Sequence, residues 1–137
     1  MAECYHSDAV FQDEVFDLRG REIAAMWHML CERGRDLKVT YHILDAVDSN
    51  VHAVWKATYT FSATGKKVEN HIRSEFVMKD GKIKAHRDRF DMWRWCRQAL
   101  GWRGRLFGWS PVVQSGIRKK ARASLDGFLQ SHPEYTK

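Results

Sequence analysis

In Lys84-Ala85-His86-Arg87-Asp88-Arg89-Phe90-Asp91, a histidine and a carboxylate stand two residues apart, with an aromatic ring two further on. On an extended strand that spacing sends all three side chains to one face. An imidazole beside a carboxyl can share, orient or relay a proton. Complete burial among aromatics raises a carboxyl by up to about 3–5 pKa units, toward the range in which acid and base catalysis works at neutral pH. The same spacing fits two plainer arrangements: a solvated strand face, or Asp88 paired with a neighbouring arginine. Spacing alone leaves these open.

Other chemistries leave little trace. The chain has no His-Glu-x-x-His, no paired Cys-x-x-Cys and no spaced His/Cys cluster of the kind that holds zinc. There is no Walker loop, and Gly101, Gly104 and Gly108 do not fit Gly-x-Gly-x-x-Gly. Gly108-Trp109-Ser110-Pro111-Val112 lacks the last glycine of a nucleophile elbow. The expectation is therefore no metal and no cofactor. Cys4, Cys31 and Cys96 form no even framework, so reduced thiols are expected, Cys31 and Cys96 as small buried hydrophobes.

The elements that must position the His-x-Asp pair are legible from periodicity. Ile23, Met26, Trp27 and Leu30 recur at helical spacing within Arg21 to Arg33, and Gly34 stands where a C-terminal cap belongs. Leu37, Val39, Tyr41 and Ile43 then alternate with polar residues. So do Val51, Ala53, Trp55, Ala57, Tyr59 and Phe61, after a short Asp48-Ser49-Asn50 connector. A third run carries Val68, Ile72, Phe76 and Met78 on one face. Asp80-Gly81, a strong hairpin signal, joins it to a fourth run, Lys82 to Phe90. These four runs predict one antiparallel meander, with a shorter strand over Val10 to Val15 ahead of the helix. Beyond Asp91, Trp93, Cys96, Arg97 and Leu100 predict a short helix ended by Gly101. A loop punctuated by Gly104 and Gly108 is expected next, and then a helix from Ser110-Pro111 with Val113, Ile117, Ala121, Leu125 and Phe128 as its stripe. The order of elements gives an α+β class.

With 137 residues, 44% hydrophobic and 29% charged, the chain suits one globular domain. No apolar run is long enough for a membrane span and the first residues carry no secretory pattern, so a cytoplasmic location is expected. The net charge of +6 is uneven. Residues 87–122 hold ten Lys/Arg against Asp88 and Asp91, while the first twenty residues hold five acids against Arg19. Trp93, Trp95, Trp102, Phe107 and Trp109 interleave with Arg94, Arg97, Arg103 and Arg105. That mixture can meet anionic lipid or nucleic acid, or it can plug the end of the sheet, make a dimer contact or stack arginine on tryptophan within the chain. Packing is the expectation, with no membrane partner and nucleic acid disfavoured.

Tyr5-His6-Ser7-Asp8-Ala9-Val10-Phe11, Gly20-Arg21-Glu22-Ile23 and Asp80-Gly81-Lys82-Ile83-x-x-His86-x-Asp88 together resemble the SnoaL-like branch of the nuclear transport factor 2 superfamily. Ketosteroid isomerases and limonene-type epoxide hydrolases belong to the same superfamily. The resemblance spans roughly residues 4–91. It implies a cone-shaped α+β barrel, a curved antiparallel sheet wrapped by helices, in a homodimer that binds small apolar molecules. By the same resemblance, Asp88 matches the acid/base aspartate of the cyclases and epoxide hydrolases, and His86 the histidine found beside it. Asp13 falls where the isomerases keep a proton-shuttling aspartate. Trp55-Lys56-Ala57 stands where the epoxide hydrolases carry Arg-x-Asp, and Ile72-Arg73-Ser74-Glu75 offers no match for the isomerases' oxyanion-binding acid. Family members normally have one or two helices ahead of the Tyr-His-x-Asp segment, where this sequence has four residues. Residues 92–131 or a second protomer are expected to cover the cone instead.

The reading is a SnoaL-like core over residues 1–91 with shortened N-terminal helices, and a helical basic, aromatic extension over 92–137 in the same domain. Proton-transfer chemistry is assigned to Asp88, His86 and Asp13: isomerisation, cyclisation or water addition. Trp27, Trp55, Tyr59, Phe76 and Phe90 are assigned to a small apolar ligand, although core filling is the plainer reading for Trp55 or Tyr59 taken singly, and core or dimer contact for Trp27. The alternatives are a non-catalytic ligand-binding or dimerisation module, and a binder of anionic surfaces through residues 92–122.

Overall fold

The computed structural model describes residues 2–136. Asp80 (φ 54°) and Gly81 (φ 76°) both take left-handed backbone, the geometry of a two-residue hairpin turn whose twist matches its strands. They fold β5 (Lys66–Lys79) back on β6 (Lys82–Arg89), setting Ser74 opposite Asp88 and Phe76 opposite His86. Asp48 (φ 54°) and Ser49 turn the chain from β3 (Lys38–Val47) to β4 (Asn50–Phe61), which pairs along its length with β5, Trp55 opposite Ile72. The four alternating runs therefore form one antiparallel meander.

Two further strands complete the sheet. β1 (Tyr5–Gln12) runs parallel to β6, and β2 (Asp17–Arg19) pairs antiparallel with β1, giving the order β2-β1-β6-β5-β4-β3. The strand expected at Val10 to Val15 thus begins and ends earlier. Its register on β6 slips between Tyr5 and Val10, so five steps of β1 pass two of β6. That irregularity breaks the alternation a sequence reading relies on. The sheet does not close: β2 and β3 are its edges.

α1 (Arg21–Arg33) buries Ile23, Met26 and Met29, and the Gly34 N–H closes it on the Leu30 carbonyl at 2.8 Å. With Tyr5, Phe11, Phe16 and Leu18 these residues form the main core. α2 (Met92–Leu100) is capped by Asp91, whose side chain accepts from the Arg94 N–H, and buries Met92, Cys96 and Ala99. The expected loop after it is instead a helix, α3 (Trp102–Phe107). A Cβ on Gly104 would lie 1.9 Å from the Cys96 carbonyl oxygen, so this glycine serves close helix contact rather than chain flexibility. α4 (Pro111–Ser131) packs on α1 and contributes Leu125 to the main core.

Two expectations about exposure need correction. Only Trp95 among the C-terminal aromatics named above joins the sheet, edge-on to Phe61 and donating to the Tyr59 hydroxyl at 2.7 Å. Trp93, Trp102, Phe107 and Trp109 are exposed, with Arg97 over Trp93 and Arg103 over Trp102. The Trp93 and Trp109 indoles donate to the nearby Arg105 and Leu106 carbonyls, so two of these polar edges are satisfied within the same segment. Cys31 is exposed, and Cys96 alone of the three cysteines is buried. No helix among the described residues is long and apolar enough to cross a membrane.

Candidate active site

The β5–β6 register brings the expected pair to the face that α1 covers. Asp88 and His86 are 3% and 5% exposed. His86 Nε2 lies 2.6 Å from Asp88 Oδ1, and the Ser74 hydroxyl bonds the same oxygen. The donors fix the direction of this network. The Trp55 indole N–H can only donate, and it reaches the Ser74 oxygen at 2.7 Å. The Ser74 proton is then directed to Asp88. At the other end the Trp27 indole donates to the Tyr5 hydroxyl at 3.1 Å, and that hydroxyl lies 2.8 Å from His86 Nδ1. Burial pushes the Tyr5 phenol well above its ordinary range, outweighing the Trp27 hydrogen bond. The phenol therefore keeps its proton and can give it to Nδ1 of a neutral imidazole. With His86 in that form the network runs Trp27 to Tyr5 to His86 to Asp88, met from the other side by Trp55 and Ser74, with the imidazole proton on Nε2.

Phe76 packs against the His86 ring at 4.3 Å and Phe11 meets it edge-on at 4.9 Å. Trp27 stacks over it at 6.3 Å and lies 6.2 Å from Trp55. Among the described residues Asp88 Oδ2 takes no hydrogen bond, and no fully buried side-chain polar atom is left unpartnered. Oδ2 is thus the oxygen of the pair that the protein's own donors leave free among the described residues.

Asp13 lies one step past the last β1–β6 pair, Gln12 with Arg87, so the register continued by one residue points it toward Asp88. Its Oδ1 accepts from the Val15 and Phe16 backbone at 2.7 and 2.6 Å. Burial pushes its carboxyl up to about 6; these N–H groups oppose the shift, and the charge of Asp88 adds to it.

Trp27, Trp55 and Phe76 thus stand around the pair with Asp13 close by, while two expected residues stand apart. Tyr59 lies two inward positions further along β4 and is engaged by Trp95 beneath α2. Phe90 lies past the end of β6, lining an open depression of about 580 Å³ together with Tyr41, Trp55 and Ile72. Neither Asp88 nor His86 lines that depression; Trp55 belongs to both. Lys56, His71 and Arg73 also border it, and by alternation they project from the opposite face of the sheet to Trp55 and Ile72.

Tyr5, Phe11 and Ser74 were not assigned roles by sequence. Ser74 carried a usable signal, a hydroxyl within the apolar stripe Val68, Ile72, Phe76, Met78. Tyr5 carried none, because its place beside His86 depends on a parallel pairing between the two ends of the core.

Comparison with solved structures returns this architecture repeatedly. A protein from Catenulispora acidiphila with a ketosteroid isomerase-like fold, bound to trimethylamine, superposes with a TM-score of 0.63 at 13% identity, over 72% of this chain and 78% of that one. A candidate SnoaL-like polyketide cyclase from a Jannaschia species gives 0.61 at 18%, over 72% and 75%. A phenazine biosynthesis-related protein from Pseudomonas aeruginosa gives 0.60 at 17%, over 72% and 68%. At these identities the likeness is one of fold. No curated protein matches the sequence. The family model of the SnoaL-like domain does match, over residues 1–86, a span that runs from the strand carrying Tyr5 to His86 itself. The chain belongs to the SnoaL-like family.

Proposed function

We propose that this protein binds a small, largely apolar molecule over the face of the sheet that carries Asp88, and moves a proton on it with Asp88 as acid/base. The observation that carries the reading is the buried Asp88–His86 pair, with Oδ1 engaged by His86 and Ser74 and Oδ2 without a hydrogen bond among the described residues. A carboxylate so held presents one basic oxygen in a fixed direction. Oδ2 would accept a proton from a carbon next to a carbonyl, the bonding pair moving toward the carbonyl oxygen, and return that proton elsewhere on the molecule. His86, fixed by Tyr5, orients the carboxylate. Asp13, titrating near 6, is suited to exchange the proton with solvent. The names of the structural neighbours, a polyketide cyclase and a ketosteroid isomerase-like protein, fit the same chemical class. The proposed molecule is a homodimer.

The test is hydrogen exchange at carbon in D2O, followed by proton NMR on a panel of β,γ-unsaturated cyclic ketones including a 3-keto steroid. The wild-type chain should accelerate exchange of at least one. Asp88→Asn keeps an acceptor for Ser74 and His86, and should abolish the acceleration with unchanged circular dichroism. Equal exchange by wild type and Asp88→Asn would remove Asp88 from the chemistry. Binding without any exchange would favour the non-catalytic alternative.

A further inference from the structure

Away from the Asp88 site, α1 and the end of α4 bring three ligand-type side chains together. His28 and Glu32 stand one turn apart on α1 and so share a face. His132 immediately follows α4, which the packing of Leu125 and Phe128 holds against α1. One ligand atom from each of the three lies within 4.8 Å of those of the other two. His28 Nε2 is 3.7 Å from Glu32 Oε2.

Both imidazoles are anchored through the nitrogen that a metal would not use. His132 Nδ1 lies 3.0 Å from the Phe128 carbonyl oxygen. A carbonyl only accepts, so Nδ1 carries the proton and the neutral ring keeps its lone pair on Nε2. The ring is stacked on Phe128 at 3.9 Å. His28 Nδ1 is engaged by the Tyr135 hydroxyl at 3.0 Å, which leaves Nε2 toward Glu32. The carbonyl fixes ring and tautomer at His132. The Tyr135 hydroxyl, which can accept as well as donate, holds the His28 ring and would accept from Nδ1–H when Nε2 binds an ion. That is the usual support of a metal-bound histidine.

We propose that His28, Glu32 and His132 bind one divalent transition-metal ion of the Zn2+ type. Two imidazoles and a carboxylate suit that ion, with water at the fourth position. Ligand atoms around a tetrahedral Zn2+ sit roughly 3.3 Å apart, given bonds of about 2.0–2.1 Å. The present separations close to that by rotation of the exposed Glu32 side chain and small ring adjustments. The ion would tie the C-terminal turn Pro133–Tyr135 to α1, joining residues about a hundred positions apart. That separation is why a search for local zinc motifs passes over the site.

The test titrates Zn2+ into the untagged, chelator-treated chain by calorimetry, in a Cys4→Ser/Cys31→Ser background because exposed thiols also bind zinc. One equivalent should bind, and the two rings should shift at Nε2 in proton–nitrogen NMR spectra. His28→Ala and His132→Ala should each weaken binding by at least the 10- to 100-fold typical of lost outer-sphere support. Tyr135→Phe, which removes only the anchor on His28 Nδ1, should weaken it by roughly ten-fold. His52→Ala, at a separate surface His–Asp contact, should change nothing. Absence of stoichiometric binding would overturn the proposal, as would undiminished affinity in the His28→Ala or His132→Ala variant.

Discussion

Asp13 shows how burying one carboxyl costs stability near neutral pH. Its folded pKa of about 6 stands above the ordinary value of 3.8, chiefly because it is desolvated. Between those values the folded chain holds a proton that the unfolded chain has released. The benefit is full below pH 3.8 and is lost as pH rises through 6. Asn at this position keeps an oxygen for the Val15 and Phe16 N–H groups but carries no charge. Asp13→Asn should therefore be more stable than wild type at pH 7.5, by up to about 3 kcal/mol, and the gap should shrink as pH falls toward 4. Urea unfolding across that range measures it. A difference independent of pH would mean that Asp13 is not desolvated in the folded chain. The His86–Asp88 pair was legible in the sequence because both residues lie on one strand, where alternation alone fixes a shared face. The partners that set its proton positions were less so. Tyr5 and Trp27 reach it from other elements, and only Ser74, a polar break in an apolar stripe, left a local mark.

At the level of elements, the readable features are those decided within a few residues. The Asp80-Gly81 turn requires positive φ at both positions and has it, and Gly34 ends α1 where the apolar stripe stops. Gly104 is the opposite case. In sequence it looks like loop punctuation, yet it sits inside α3 because a side chain there would strike the Cys96 backbone of α2. Nothing local to Gly104 reports that contact. The contrast with Gly116, inside α4 with open space around its Cβ position, gives a paired prediction. Gly104→Ala must push α3 off α2 and should destabilise by at least about 1–3 kcal/mol. Gly116→Ala should stabilise by about 0.5–1 kcal/mol through the entropy of the unfolded chain. Thermal and urea unfolding of both variants decide it. A Gly104→Ala chain as stable as wild type would mean that α3 does not dock on α2.

For the whole molecule, the charge asymmetry is partly resolved within the chain. Arg118 Nε donates to the Glu14 carbonyl at 2.7 Å, and Arg122 pairs with Glu22 at 2.7 Å and with Asp126 at 3.1 Å. The basic last helix is thus held against the acidic front of the same protomer. Apolar surface is less well resolved. All ten residues of β3 are exposed, and Val39, Tyr41 and Ile43, at 49%, 68% and 62%, lie on the same face as Trp55. An alternating strand of this kind is written for burial, and no described element of the protomer covers it. A long apolar edge strand also invites uncontrolled pairing, and soluble monomers seldom leave such patches bare. The proposed homodimer would cover this strand with a second copy, enclosing the depression lined by Tyr41, Trp55 and Phe90. Sedimentation or light scattering at tens of micromolar should then give twice the chain mass. The double variant Tyr41→Glu/Ile43→Glu should give a folded monomer, because charges on that face cannot be buried unpaired. If the wild-type chain runs as a monomer at that concentration, or if the double variant remains a dimer, β3 is not the interface and the depression beside Trp55 stays open to solvent.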